Sequence, residues 1–226
     1  MIDFNFLSSA NEERVYDYLN NLANYQGCFC AKSYLRFINA GTVPSADIYI
    51  NGNIAVSGLE AGQMTDYISG YPREYNITVY AEGTTDEPLL DKTISINKNS
   101  SYTAVIAGER LDLSLLKENK QEIPPFREAV VTYTNFAPIE GAVDIYISDG
   151  TILYKDLSFG ESMPSILIFP TDERFFITYT GTDDVIASTP TIQLQRATYY
   201  SLFSVLEGNE IKLNIDLNGL NYLALC

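Results

Sequence analysis

The chain has 226 residues, enough for one large domain or two of about 100 residues each, and its 46% hydrophobic content suits a chain with a real core. Its 29 acidic residues against 14 basic give a net charge of −15, which argues against nucleic acid or an anionic membrane surface as a partner. Histidine is absent, so the usual Ser–His and Cys–His nucleophile pairs cannot form.

Taken in chain order, residues 1–31 read as an N-terminal arm. "IDFNFL" alternates apolar Ile2, Phe4 and Phe6 with polar residues, the pattern of a one-sided strand. Ser9 and Glu12 form a capping box before a helical stretch whose stripe is Val15, Tyr18, Leu19 and Leu22. A lone strand and a lone helix cannot bury these faces alone, so the arm is expected to dock on its own chain or on a neighbour. The opening stretch shows no basic region, long apolar run or small-residue cleavage site, so no secretory signal is expected in it, and no run approaches the roughly 20 apolar residues of a membrane span. The expectation is a protein made in the cytoplasm without a secretory signal, with deposition on a spore or cell surface as one route outward. The arm ends in Gly27-Cys28-Phe29-Cys30, and the third cysteine, Cys226, closes the chain. Three thiols cannot all pair within one chain. They read either as reduced cytosolic cysteines or as intersubunit crosslinks, with a metal site the weaker alternative.

From residue 32 the pattern changes to short strands rich in β-branched and aromatic residues, separated by turns at about ten-residue spacing. It also repeats. "FINAGTVPSADIYINGN" (37–53) parallels "YTNFAPIEGAVDIYISDGT" (133–151). Asn39 matches Asn135, Pro44 matches Pro138, Asp47 matches Asp144, Tyr49 matches Tyr146, and Pro72 matches Pro170. An offset held across most of the chain is an internal duplication. The expected fold is all-β: two tandem immunoglobulin-like antiparallel β-sandwiches of seven strands each, preceded by the strand/helix arm. The first sandwich is placed at 32–117 and the second at 130–226, its tail included. Between them, 118–129 carries Pro124-Pro125 and reads as a linker.

The doubled Asn…Pro…Ala-Asp-Ile-Tyr-Ile signature resembles the bacterial family called domain of unknown function 4397, in tandem copies over about 34–115 and 130–215. The resemblance implies β-sandwich repeats, often in envelope or surface proteins, with no established chemistry and no catalytic residues to transfer.

No phosphate-binding glycine loop or G-x-S-x-G elbow is present. Asp47 and Asp144 open equivalent strands and read as turn caps, so an enzyme is not expected, nor a cofactor. The acidic loops 84–91, 171–174 and 181–184 lack the alternating spacing of a calcium loop, and no metal site is expected. Tyr49 and Tyr146 read as packing residues, as do Tyr67, Tyr71 and Tyr75, although the last three could form a carbohydrate-contacting patch. These features point to a structural self-assembling subunit of a surface fibre or layer. It would be a homo-oligomer or polymer joined head-to-tail through the arm and held by Cys28, Cys30 and Cys226. The alternative is an adhesin-like or carbohydrate-binding module with a glycan or surface ligand.

Overall fold

The computed structural model describes residues 32–41, 43–108, 111–118, 127–137, 139–163 and 166–223. The arm with Ile2, Phe4, Phe6, Val15, Tyr18, Leu19, Leu22, Cys28 and Cys30 lies outside the described residues, as do residues 119–126, Pro138 and Cys226.

The fold is all-β. The first half holds β1 (Ser33–Asn39), β2 (Ser45–Ile50), β3 (Asn53–Glu60), β4 (Ile68–Gly70), β5 (Arg73–Ala81), β6 (Leu90–Ile96), β7 (Ser101–Ala107) and β8 (Asp112–Glu118). These form two four-stranded sheets, ordered β4-β1-β7-β8 and β3-β2-β5-β6. The second half holds β9 (Ala129–Asn135), β10 (Val143–Ile147), β11 (Ile152–Leu157), β12 (Ile166–Ile168), β13 (Asp172–Glu173), β14 (Phe175–Tyr179), β15 (Val185–Ser188), β16 (Ile192–Gln193), β17 (Tyr199–Glu207) and β18 (Glu210–Leu217). Its sheets run β12-β9-β17-β18 and β11-β10-β14-β15, with a two-stranded β13-β16. A short helix α1 (Leu220–Leu223) follows. The second set repeats the first strand for strand, with β5 split into β13 and β14 and β6 into β15 and β16.

Each half has its own apolar cluster drawn from both of its sheets. Phe37, Ile48, Ile77, Ile94 and Ile106 belong to the first, and Tyr133, Ile145, Phe175, Ile177 and Leu202 to the second. Alternate residues of each strand face inward, as the period-2 pattern requires.

Eight strands stand in the first half where seven were expected, and the pairing is not purely antiparallel. β1 pairs with β7 in parallel, and β9 with β17 likewise. These partners are separated by a whole sheet, so no hairpin turn dictates their direction. The extra strands, β4 and β12, are three residues long, too short to show an alternation.

β1, β7, β9 and β17 are buried on both faces along almost their whole length, so their burial does not alternate. Their outer faces meet. Ile38, Ala40 and Val105 of the first half pack with Phe136, Phe203 and Val205 of the second. Leu206 N donates to Ala40 O at 3.2 Å. A Cβ on Gly41, whose φ is +102°, would lie 2.1 Å from Leu206 O, so glycine permits this approach. At the other end of these strands Tyr34 packs with Val130, Tyr199, Leu220 and Leu223. The starts of β1, β9 and β17 therefore lie together, and so do their ends.

Candidate functional site

The duplicated signature residues sit in structural hydrogen-bond networks. Asn39 Nδ2 donates to Val43 O at 2.7 Å and Leu59 O at 3.0 Å, while Gly41 N donates to its Oδ1. Asn135 Nδ2 donates to Leu157 O at 3.2 Å, and Ala137 N and Ser204 Oγ donate to its Oδ1. Both asparagines are fully buried, and each ties the end of a strand to the loop beyond it.

Asp47 Oδ1 accepts from Gly58 N at 2.8 Å and Ser57 Oγ at 3.1 Å, and its Oδ2 from Gly83 N at 2.9 Å. These bonds, led by Gly83 and Gly58, hold its carboxyl below its ordinary range. Asp144 Oδ1 accepts from Asp156 N and Thr180 Oγ1, both at 2.8 Å, and Oδ2 from Gly181 N at 3.5 Å. Burial opposes the charge there, but these donors outweigh it and the carboxyl is again lowered. Each aspartate faces a bulge, where the register shifts between β2 and β3 and between β10 and β11. Their lone pairs are engaged by their own loops, which leaves neither poised as an acid or base.

The remaining described signature residues also have structural surroundings. Pro44 is exposed and its carbonyl accepts from Ala61 N. Tyr49 meets Tyr80 edge-on at 5.3 Å. Tyr146 lies opposite Phe176 on β14, and Arg174 stands 5.2 Å over the Phe176 ring. Among the described residues, no group of three or more His, Cys, Asp or Glu is placed to hold a metal ion. No described helix is long and apolar enough to cross a membrane.

One ionic network was not foreseen. Arg36 is fully buried between the halves. Its Nε donates to Thr103 Oγ1 at 3.0 Å, and its Nη1 to Asp216 Oδ2 at 3.1 Å and Leu217 O at 3.2 Å. Nη2 lies 3.6 Å from Glu118 Oε1. The guanidinium also stacks 4.5 Å from the Tyr67 ring and 5.1 Å from the Phe203 ring. Tyr67 donates to Glu118 Oε1, and Gly219 N donates to Glu118 Oε2 at 3.0 Å. Burial, then the Glu118 charge, pushes the Tyr67 hydroxyl well above its usual value. Tyr67 is thus a packing residue of the junction.

The surface feature that stands apart is at the end where β1 and β9 begin. Gly70 pairs with Ser33, and Ile168 with Ala129, so the next residues, Tyr71 and Phe169, occupy equivalent positions. Each is followed by a proline, Pro72 or Pro170. They are the two most exposed large hydrophobic side chains among the described residues, at 65% and 73%. Tyr75 OH donates to Tyr71 O at 2.8 Å, fixing that turn. Arg73 stands 4.7 Å over the Tyr75 ring. Beside Phe169 an open depression of about 520 Å³ is lined by Arg127, Phe169, Pro170 and Arg196. The sequence carried a signal for this pair: Pro72 and Pro170 align in the duplication, and an aromatic precedes each.

No curated protein matches the sequence. Solved structures show distant similarity. A family CBM26 module, CBMbc of Eubacterium rectale Amy13K, in complex with maltoheptaose, is 11% identical with a TM-score of 0.28, over 83% of this chain and 97% of that one. A streptococcal virulence factor described by its alpha-glucan binding is 12% identical with a TM-score of 0.26, over 80% and 97%. The Bacillus anthracis TIE protein is 10% identical with a TM-score of 0.26, over 78% and 34%. Scores this low are similarities of outline only. The family model described as "Domain of unknown function (DUF4397)" matches residues 33–146, 114 of the 226 residues, from the start of β1 through Tyr146 of β10. The chain belongs to the DUF4397 family.

Proposed function

We propose that the chain is a non-catalytic binding module, built as two tandem immunoglobulin-like β-sandwiches at 32–117 and 130–226, that takes a glycan at the end bearing Tyr71 and Phe169. The observation that carries this reading is the exposure of those two rings at equivalent turns. A ring face complements the C–H face of a sugar while the surrounding polar groups reach its hydroxyls. The strand-for-strand match of the two halves supports the tandem arrangement.

The fibre-subunit reading rests on the arm and on Cys28, Cys30 and Cys226, which lie outside the described residues. No described contact favours it, so the binding reading takes precedence.

Native affinity electrophoresis tests the proposal. The protein is run through gels containing amylose, a β-glucan, chitosan or polygalacturonate. Retardation in at least one gel relative to a polymer-free gel is expected. Unchanged mobility in all of them would overturn the reading.

A further inference from the structure

Three chain segments converge on the depression at Phe169, and the pairing explains how. Ile168 pairs with Ala129, which puts Phe169 beside the residues preceding β9. Ala197 N donates to Glu128 O at 2.9 Å and Val130 N to Thr198 O at 2.9 Å, which extends the β9–β17 ladder by one step. Arg127 and Arg196 each stand one residue before that step. Two exposed arginines are thereby held next to each other and next to an exposed ring.

This placement is unusual in a chain with a net charge of −15 and 14 basic residues. At the opposite end, where β1 and β9 finish, the loops carry exposed Glu82, Asp86, Glu87, Glu140, Asp183 and Asp184. A polyanion is therefore repelled by most of the surface and can be held only where cations are concentrated. Guanidinium forks bind carboxylates with two parallel hydrogen bonds, and the adjacent Phe169 ring offers an apolar face. Glu128 adjoins Arg127 and Asp172 lies two residues beyond Pro170 in the sequence, so acidic groups flank the site and an anionic ligand group must sit against the guanidinium groups. A uronic acid carries one carboxylate beside one C–H face and so matches this pairing of guanidinium and ring.

We infer that the depression lined by Arg127, Phe169, Pro170 and Arg196 binds the carboxylated sugars of an acidic polysaccharide. This deepens the glycan reading above and rests on it. An acidic peptide offers carboxylates without the sugar face, and serves as the contrasting probe.

The test is titration calorimetry of the full chain with polygalacturonate, amylose and poly-L-glutamate, repeated for Arg127→Gln/Arg196→Gln and for Phe169→Ala. Polygalacturonate binding is expected to weaken at least tenfold in the double variant and in Phe169→Ala. It should also weaken as salt rises from about 0.05 to 0.5 M, as exposed charge pairs do. Thermal unfolding of each variant should stay at the wild-type midpoint, separating lost contact from lost fold. Binding of amylose with no binding of polygalacturonate would overturn this inference and leave the glycan reading standing. No binding to either polysaccharide would overturn this inference, and the glycan reading would fall with it only if the β-glucan and chitosan gels also left mobility unchanged. Poly-L-glutamate binding as tight as polygalacturonate, with the same dependence on the arginines, would overturn the sugar assignment in favour of a peptide site. Polygalacturonate binding unchanged in the double arginine variant would overturn the placement.

Discussion

Arg36 Nη1 donates to Asp216 Oδ2 at 3.1 Å, joining two residues 180 apart in sequence and one from each half. The same guanidinium faces Glu118, whose side chain is 7% exposed and which receives Gly219 N from beyond β18. The halves are thus joined by a charged network set within an apolar seam of Ile38, Val105, Phe136 and Phe203.

Removing one member of such a network leaves the other buried without its counter-charge, which costs about 3–5 kcal/mol. Arg36→Met should lose stability on that scale in urea unfolding. Arg36→Met/Glu118→Leu should recover part of it, because the cost lies in the stranded carboxylate and not in the missing cation. A double variant less stable than Arg36→Met by the full cost of a second lesion would show the two sites acting independently.

Asp47 anchors its bulge through three donors, and losing the acceptor strands them. Asp47→Ala should cost about 1–3 kcal/mol. The carboxyl is lowered from its ordinary value of 3.8, so its charged form is favoured by folding. That stabilisation is fully present above the ordinary value and disappears as pH falls through the lowered native one. The stability gap between wild type and Asp47→Ala should accordingly stay level from about pH 5 to 8 and shrink below about pH 3.8, followed by urea unfolding across pH.

The two bulges differ at one position. Gly58 has φ of +64°, and its equivalent, Asp156, has φ of +61°. The left-handed conformation costs a side-chain-bearing residue about 1–2 kcal/mol, against about 0.5–1 kcal/mol of added chain entropy for glycine. Asp156→Gly should therefore stabilise by about 0.5 kcal/mol, and Gly58→Ala should destabilise by about 1 kcal/mol. Thermal unfolding of both variants checks the pair, and the opposite signs are the informative result.

Much of the strand layout is legible in the sequence, because alternation and turn residues are local signals. "ADIYI" and "YNITVYA" expose their core faces by period alone, and the duplication places their counterparts. What resisted reading was non-local. β1, β7, β9 and β17 are covered on both sides, and nothing in "SYTAVIA" names what covers the second side. Arg36 has Thr132 as its counterpart in the duplication, so the repeat itself gives no hint of a buried guanidinium. The exposure of Phe169 was hidden for a different reason. It follows the apolar run "SILI" and composition reads it as core, although its alignment with Tyr71 before a matched proline marks a shared turn. The residues on which the assembly reading depends, from Ile2 to Cys30 and Cys226, lie outside the described part of the chain and were legible only as pattern.

The most direct test of the central claim compares wild type, Tyr71→Ala, Phe169→Ala and the double variant in affinity gels containing the polysaccharide that retards the wild type. Both side chains lie on the surface, so all four proteins should unfold at the same temperature. If these rings form the binding surface, each single variant migrates faster than wild type in the polymer gel and the double variant migrates as it does without polymer. A double variant retarded as strongly as wild type would contradict the account.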